Sequence, residues 1–463
     1  MIESKELWHK AIKSGVADEV REFLKLAVPL SAAQIAQFAV SFVDTIMMGR
    51  LSTDSLAAGG LASSTLQMLL TIATGFVMSV GVLSAEAYGA EQKHKLVGLA
   101  RQGLWLCFLI TLPFSVLLWN MSSVMRFLGQ TDTVVDLAQH YFSWITIGVL
   151  PALGFAMLRG YVSAFSLANV VTVIVIIGTL FNIGCNYILG FGKFGFPRME
   201  LAGFALGSSL SFWLMFWLFV AYILRQSELK RHRFWRGWKH PNLAILRQLA
   251  AVGLPIATTY LLELGLFLAV AYMAGSLGTA SLAAHHIAFQ MMALIFMVPI
   301  GMSLAATARV GLWFGRGDRN GMRRAGFVAI ATNAAFLLFS AVGLYLFRHY
   351  AIQLFVDVND PQNMTVVTIA MNLLLVAAIA QILDGTQRVT MSALYGLQDT
   401  RVPMMLGFLS FWMVGIFAGY VLCFSFGFGV VGLWIGQYIG TAIGGISFVW
   451  RFHRLTVRSH RKS

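Results

Sequence analysis

Three acidic side chains lie inside long apolar stretches of this sequence, at Asp44, Glu263 and Asp384. The chain has only 19 Asp and Glu residues, and nearly all of the others fall in loops, tails or helix ends. A carboxylate at the centre of a bilayer costs about 2.5–3.5 kcal/mol on insertion scales. Membrane proteins that keep such residues typically use them to bind a cation or a proton on a transport path. We therefore predict that the three carboxylates bind a cation or a proton on a transport path.

Asp44 belongs to a set of four polar residues in the first apolar stretch. They are separated by 3, 4 and 3 residues, a spacing that places all of them on one face of an α-helix. The four are Gln34, Gln37, Ser41 and Asp44. A polar face on a membrane helix points to protein or water rather than to lipid. We predict that this face lines a substrate cavity; the alternative is that Asp44 is a hydrogen-bonded residue at a helix end.

The other two acids have different neighbours in sequence. Glu263 lies near the middle of its apolar stretch, and its oxygens suit a proton or a hard cation such as sodium. It can instead be a neutral glutamate that is hydrogen-bonded to another helix. Asp384 is flanked by Gln381 and Gln387, and Arg388 follows it by four residues. That spacing permits a local ion pair between Asp384 and Arg388, so both a cation site and an ion pair stay open here.

Several further polar and pliable residues occur inside the apolar stretches. Asn182, Gln381 and His285 are predicted to add to the polar face of the cavity, although buried asparagine more often joins helices than binds a ligand. Met291 and Phe296 are predicted to form part of its apolar wall, because methionine and aromatic side chains suit lipophilic cations. Plain helix packing is the alternative for both. The spacing of histidine and cysteine predicts no metal site, and no catalytic residues are expected.

The composition indicates an all-α integral membrane protein. The 463 residues are 58% hydrophobic and 11% charged with a mean hydropathy of +0.76, whereas soluble domains contain about 25% charged residues. Runs of about 20 apolar residues predict twelve transmembrane helices. The predicted spans are 23–48, 57–84, 98–119, 137–158, 169–190, 202–224, 248–274, 281–307, 325–347, 364–390, 402–424 and 429–450. Apolar residues continue to Leu397, so the tenth span can begin and end later than these bounds.

The basic residues predict the orientation of these spans. Of the 33 Lys and Arg, 28 lie at the two termini and in alternate connections, which places both termini in the cytoplasm by the positive-inside rule. The net charge of +14 therefore reflects the membrane topology, and the basic residues face anionic membrane lipids. This distribution argues against nucleic acid as a partner.

The two halves of the chain resemble each other. Residues 49–58 and 275–284 are identical at seven of ten positions with an offset of 226, and an offset of 229 pairs Arg159 with Arg388. Because six spans is an even number, both halves share one orientation, as in a parallel repeat. We predict a cytoplasmic segment (1–22), a first lobe (23–224), a basic cytoplasmic loop (225–247), a second lobe (248–450) and a basic cytoplasmic tail (451–463). Two six-helix bundles that face one cavity would alternate its access by rocking.

The repeat does not relate the three acids to one another. An offset of 226 pairs Asp44 with Val270, and it pairs Glu263 with Gln37. The two lobes are therefore predicted to be alike in build and different in charge, with cation coupling weighted to the second lobe.

The chain resembles the multidrug and toxic compound extrusion (MATE) family over essentially its whole length. The resemblance is carried by the segment from Pro29 to Ala58, by residues 283–285 with Pro299, by LLELGLF around Glu263 and by QILDGTQ around Asp384. It looks closest to the NorM-like branch, which has acids on spans 1, 7 and 10. The resemblance implies export of organic cations and drugs in exchange for Na+ or H+. Glu263 and Asp384 would then form the coupling site, and Asp44 would be a first-lobe site for protons or substrate.

Some sodium-coupled relatives carry a tyrosine one turn before the aspartate of span 10, where this chain has Ala380. The sequence has no G-x-x-x-x-G-K-[ST] loop, so we expect no ATP, no cofactor and energy from an ion gradient. We also expect a monomer in the inner membrane. Two alternatives are a flippase of lipid-linked precursors, for which Arg159 and Arg388 are the only intramembrane basic candidates, and a membrane-embedded enzyme, for which no catalytic constellation is visible.

Overall fold

The computed structural model describes residues 15–127, 129–226, 241–358 and 360–457, except for the side chains at positions 53 and 54. Within these ranges the chain is helical and contains no strand. Twelve of its helices are long and apolar enough to cross a membrane, which confirms the predicted number of spans. Helices suit this setting because they satisfy every internal backbone hydrogen bond without water.

In chain order the twelve are α1 (Val16–Gly49), α2 (Thr53–Gly89), α3 (Lys93–Trp119), α4 (Asp132–Ala164), α5 (Ala168–Gly190), α6 (Glu200–Arg225), α7 (Leu243–Ser276), α8 (Thr279–Gly315), α9 (Arg319–Gln353), α10 (Met364–Gly396), α11 (Arg401–Ser425) and α12 (Gly429–Val457). A short helix, Met121–Phe127, follows α3, and a 3-10 turn, Pro361–Asn363, precedes α10.

Most of these helices are longer than the predicted spans. The fourth runs over 33 residues where the apolar pattern marks 137–158, and the tenth continues to Gly396, six residues past its predicted end. About 20 residues suffice to cross the hydrocarbon core, so the hydropathy pattern marks only the apolar part of each helix. Much of the predicted basic loop, residues 227–240, lies outside the described residues, as do 1–14 and 458–463. The cytoplasmic position of both termini stays a prediction.

The chain divides into two compact units. The first unit consists of Ala32–Tyr260, and the second unit consists of Met1–Ser31 together with Leu261–Ser463. The divisions fall inside α1 and α7, a few residues after Pro29 and Pro255, which the 226-residue offset relates. The predicted lobes, 23–224 and 248–450, therefore differ from the compact units in the first parts of these two helices. Hydropathy marks each helix as one span and carries no information about which residues it packs against.

The unit of residues 32–260 is built on close helix contacts at glycines. A Cβ at Gly81 would lie 3.1 Å from the Cα of Gly160, which joins α2 to α4. A Cβ at Gly75 would lie 2.6 Å from the Cα of Ala257, so the first part of α7 packs directly on α2. Small residues permit such approaches of backbones in membrane proteins, where lipid gives no hydrophobic drive for helices to associate.

In the other unit α10 is central, because α8, α9 and α12 all pack against it. It carries Asp384 and Arg388 into the interior of this unit. The neighbouring α11 contains two π-helical stretches, Leu409–Ile416 and Val421–Ser425, and packs along α12. A third π-helical turn, Asn186–Gly190, ends α5 in the first unit. Such turns are rare and frequently occur at functional sites.

We expect Gly436→Ala to lower the melting temperature of the purified protein. A Cβ at Gly436 would collide with the backbone of Gly419, so α11 or α12 must shift. Overpacking of this kind costs about 1–3 kcal/mol. The matched control is Gly343→Ala on α9, where a Cβ meets nothing within 4 Å. Equal melting temperatures for the two variants in the same detergent would contradict the close approach of α11 and α12.

Candidate functional site

The polar face of α1 is engaged by an arginine of α4. Arg159 Nη1 donates hydrogen bonds to Gln34 Oε1 at 2.9 Å and to Gln37 Oε1 at 3.3 Å. Gln34 and Gln37 do share one face, but their carbonyl oxygens point to a protein cation. The sequence identified Arg159 only as a basic candidate for an anionic ligand. Its contact with Gln34 and Gln37 depends on how α4 packs against α1, which only the tertiary structure shows.

Asp44 is held by an asparagine of α5. Asn186 Nδ2 donates to Asp44 Oδ1 at 2.8 Å and to Asn182 Oδ1 at 3.0 Å, and Asn182 Nδ2 donates to Ser208 Oγ at 3.2 Å. Both asparagines are buried. The chain of contacts joins α1, α5 and α6 and leads from the acid into the helix bundle. Asn186 was not among the predicted site residues, although its spacing of four from Asn182 was a usable signal.

Ser41 is exposed, and its carbonyl accepts a hydrogen bond from the Thr45 hydroxyl at 2.8 Å. The four residues of the predicted stripe are thus all on α1, yet they fall into two groups. Gln34 and Gln37 contact Arg159, whereas Asp44 contacts Asn186.

The second unit brings two acids and one base together. Arg388 Nη1 donates to Glu263 Oε2 at 2.5 Å, and the two side chains are 11% and 19% exposed. Asp384 lies within electrostatic range of both. Tyr438 of α12 interacts with Asp384 as well. We call Glu263, Asp384 and Arg388 the acid–arginine cluster. With both acids ionised, it carries a net charge of −1.

The local ion pair between Asp384 and Arg388 that the sequence permitted is not the contact observed. Arg388 hydrogen-bonds instead to Glu263, 125 residues away on α7. Among the described residues Asp384 has no hydrogen bond. A spacing of four residues makes Asp384 a possible partner of Arg388. The packing of α7 against this site brings Glu263 close as well, and the buried guanidinium binds Glu263.

Gln381 and His285, which were predicted to line the polar cavity, have partners inside the second unit. Gln381 is fully buried, and its Oε1 accepts from Ser340 Oγ on α9 at 3.5 Å. His285 is also buried, and its Nδ1 accepts from Trp434 Nε1 on α12 at 2.9 Å. Met291 and Phe296 are half-buried, and Met291 packs against the hydrophobic core. A role of these residues in a cavity stays a prediction.

A second buried ion pair was not predicted. Arg309 of α8 donates to Glu19 of α1 through Nε at 2.8 Å and Nη2 at 2.7 Å, and Trp313 Nε1 donates to Glu19 Oε2 at 3.1 Å. Glu19 is 1% exposed. The sequence placed Glu19 in a polar segment before the first span, and nothing in that segment indicated a partner on α8.

Twelve apolar helices with carboxylates, amides and arginines paired inside each unit define a multi-pass membrane transport protein, since buried ionisable groups at membrane depth mark transport paths. The chain belongs to the MatE family, whose model matches it twice, over residues 29–188 and 255–421. This confirms both the family resemblance and the internal repeat. The chain is a multi-pass protein of the inner membrane and not an enzyme.

Relatives support the same assignment along the whole chain. A probable multidrug resistance protein NorM of Synechococcus sp. is 47% identical over 438 residues, which cover 95% of this chain and 94% of that protein. Another from Synechocystis sp. is 42% identical over 448 residues and covers 97% of each chain. A multidrug resistance protein NorM of Burkholderia vietnamiensis is 35% identical over 433 residues, 93% of each. These similarities confirm the NorM-like branch.

Solved structures agree on the fold. The eukaryotic MATE transporter AtDTX14 has a TM-score of 0.83 at 18% identity and covers 96% of this chain and 99% of that one. An outward-facing multidrug resistance MATE family transporter of the MOP superfamily has a TM-score of 0.84 at 20% identity, with coverages of 94% and 96%. The predicted all-α, twelve-helix architecture is therefore confirmed.

Proposed function

We propose that this protein is a secondary antiporter that exports cationic, amphipathic organic compounds in exchange for Na+ or H+. The observation that carries the proposal is the acid–arginine cluster, in which two carboxylates and one guanidinium share the interior of the second unit. Its net negative charge is costly at membrane depth and is neutralised by one monovalent cation. The names of the NorM relatives support multidrug efflux as the transport activity.

In this proposal the coupling cation binds at the acid–arginine cluster, whose negative charge comes from Glu263 and Asp384. Cation binding and substrate binding stabilise different conformations, so inward movement of one drives outward movement of the other. The cluster joins α7 to α10, two helices that are far apart in sequence. A change in the net charge of the cluster on cation binding therefore alters the electrostatic attraction between these two helices. No ATP, cofactor or nucleic acid takes part, and the protein works as a monomer surrounded by lipid.

Asp44 provides a separate site in the first unit. Its carboxylate is held by a neutral amide, that of Asn186, and no cation of the described residues forms an ion pair with it. A half-buried carboxylate of this kind attracts an organic cation or a proton. We assign Asp44 to substrate or proton binding, with Ser41 and Asn182 as neighbouring polar groups and with Gln34 and Gln37 oriented by Arg159.

The contacts do not favour the flippase alternative. A flippase for an anionic headgroup needs basic side chains that are open to the ligand. Arg159 contacts Gln34 and Gln37, and Arg388 contacts Glu263, so both basic candidates are engaged within the protein.

We expect the purified protein in liposomes to accumulate ethidium, a permanently charged aromatic cation, when a cation gradient is imposed. A proton gradient and a sodium gradient are applied separately, with the membrane potential clamped by potassium and valinomycin. Encapsulated DNA reports ethidium entry by fluorescence, and protein-free liposomes are the control. A rate equal to that of protein-free liposomes under both gradients would contradict the antiporter assignment.

A further inference from the structure

The same contact occurs in both units at repeat-equivalent positions. In the first unit Arg159 of α4 donates to Gln37 of α1 at 3.3 Å, and in the second Arg388 of α10 donates to Glu263 of α7 at 2.5 Å. An offset of 229 relates the two arginines, and an offset of 226 relates Gln37 to Glu263. The arginine contact is therefore part of the duplicated architecture, and the two copies differ in the charge of the acceptor.

The first-unit copy indicates which part of the second-unit contact is structural. Arg159 joins α1 to α4 with a neutral amide as its acceptor, so a carboxylate is not required for the helices to be joined in this way. The carboxylate of Glu263 adds a negative charge, and Arg388 supplies the opposite charge directly against it. An ion pair at 2.5 Å is a strong charge-assisted contact, because both groups are largely removed from water. The negative charge that is left in the cluster lies on Asp384.

Three ionisable groups of the described residues interact with Asp384. Glu263 faces it from α7, Arg388 from its own helix and Tyr438 from α12. In the described part of the chain the histidines of α8 are not among the groups that interact with Asp384, and His285 is bound to Trp434. On α9 the sequence from 325 to 347 contains no carboxylate, histidine, lysine or arginine.

We propose that Arg388 is a built-in counter-cation for Glu263, so that Asp384 alone takes the coupling ion and that ion is a proton. The inference rests on the proposed function and assigns the ion within it. A hard metal cation requires several oxygen ligands at once, and Glu263 is already engaged by the guanidinium. The positive charge of Arg388 also repels a second cation at short range. One proton on Asp384 brings the cluster from −1 to zero without the need for further ligands.

Removal of the ion pair as a whole tests the proposal. We expect Glu263→Gln/Arg388→Gln to retain at least about 10-fold more proton-driven ethidium uptake than either single variant, because the pair leaves together and Asp384 stays. Each single variant is expected to lose at least about 10-fold, since it leaves one buried charge without its partner. Size-exclusion profiles and melting temperatures of all variants are measured beside the rates. If the double variant does not fold, the exchanged pair Glu263→Arg/Arg388→Glu takes its place with the same expectation.

Two outcomes would overturn the inference. One is a folded double or exchanged variant that is as inactive as the single variants. The other is uptake by the unmodified protein under a sodium gradient at equal pH on both sides. Both leave the antiporter function standing, whereas the absence of uptake under the proton gradient and under the sodium gradient alike removes the function itself. The matched control is Gln37→Glu, which gives Arg159 a carboxylate acceptor in the first unit and is expected to leave the sodium response absent.

Discussion

Asp384→Asn is expected to reduce gradient-driven ethidium uptake by at least about 100-fold, because coupling requires a site whose charge changes between the two states. Asparagine keeps the size of the side chain and removes the charge. The variant also leaves the Glu263–Arg388 ion pair in place, so the packing of α7 and α10 has no reason to change. Loss of uptake with an unchanged melting temperature is therefore the expected combination.

The control for this variant is Asp132→Asn, which removes an exposed carboxylate at the start of α4. It is expected to transport at the rate of the unmodified protein. Ethidium exchange without a gradient separates coupling from substrate binding: Asp384→Asn should still exchange ethidium down its own concentration gradient. Gradient-driven uptake by Asp384→Asn at the unmodified rate would exclude this carboxylate as the coupling site.

Arg309→Gln is expected to produce the largest loss of stability. It leaves the Glu19 carboxylate, 1% exposed, without the two hydrogen bonds and the positive charge that Arg309 supplies. Removal of one partner from a buried ion pair typically costs about 3–5 kcal/mol, because the other charge stays buried without compensation. Trp313 still donates to Glu19 but carries no charge, so it offsets only part of this cost.

Thermal unfolding in detergent measures this effect, with two variants for comparison. Glu19→Gln/Arg309→Gln removes both charges and is expected to melt closer to the unmodified protein than Arg309→Gln does. Arg126→Gln breaks an exposed pair with Asp132 and is expected to cost less than about 1 kcal/mol. If Arg309→Gln and Arg126→Gln melted at the same temperature, the buried pair would not hold α1 to α8 as the structure indicates.

Much of this protein follows from local patterns in the chain. Apolar runs identified the twelve membrane-spanning helices of the described residues, since a backbone without water must form helices and its side chains must be apolar to lie in lipid. The same reasoning identified Asp44, Glu263 and Asp384, because charges at such positions are expensive. The offset of 226 found the repeat that the family model matches twice. Helix ends were less accurate: α4 has eleven residues outside its predicted span and α10 has six, because the helices continue beyond their apolar parts.

Which side chains meet was decided by the tertiary structure. Spacing alone made Asp384 a possible partner of Arg388, yet Arg388 bonds to Glu263, 125 residues away. Glu19 and Arg309 are separated by 290 residues, and Asp44 and Asn186 by 142. Periodicity along one helix reports which residues share a face, and it holds no information about which face of another helix packs against them. The sequence by itself determined the membrane class, the repeat and the acids that are costly to bury. Helix packing determined that Glu263 is paired with an arginine and that Asp384, among the described residues, is not hydrogen-bonded to one.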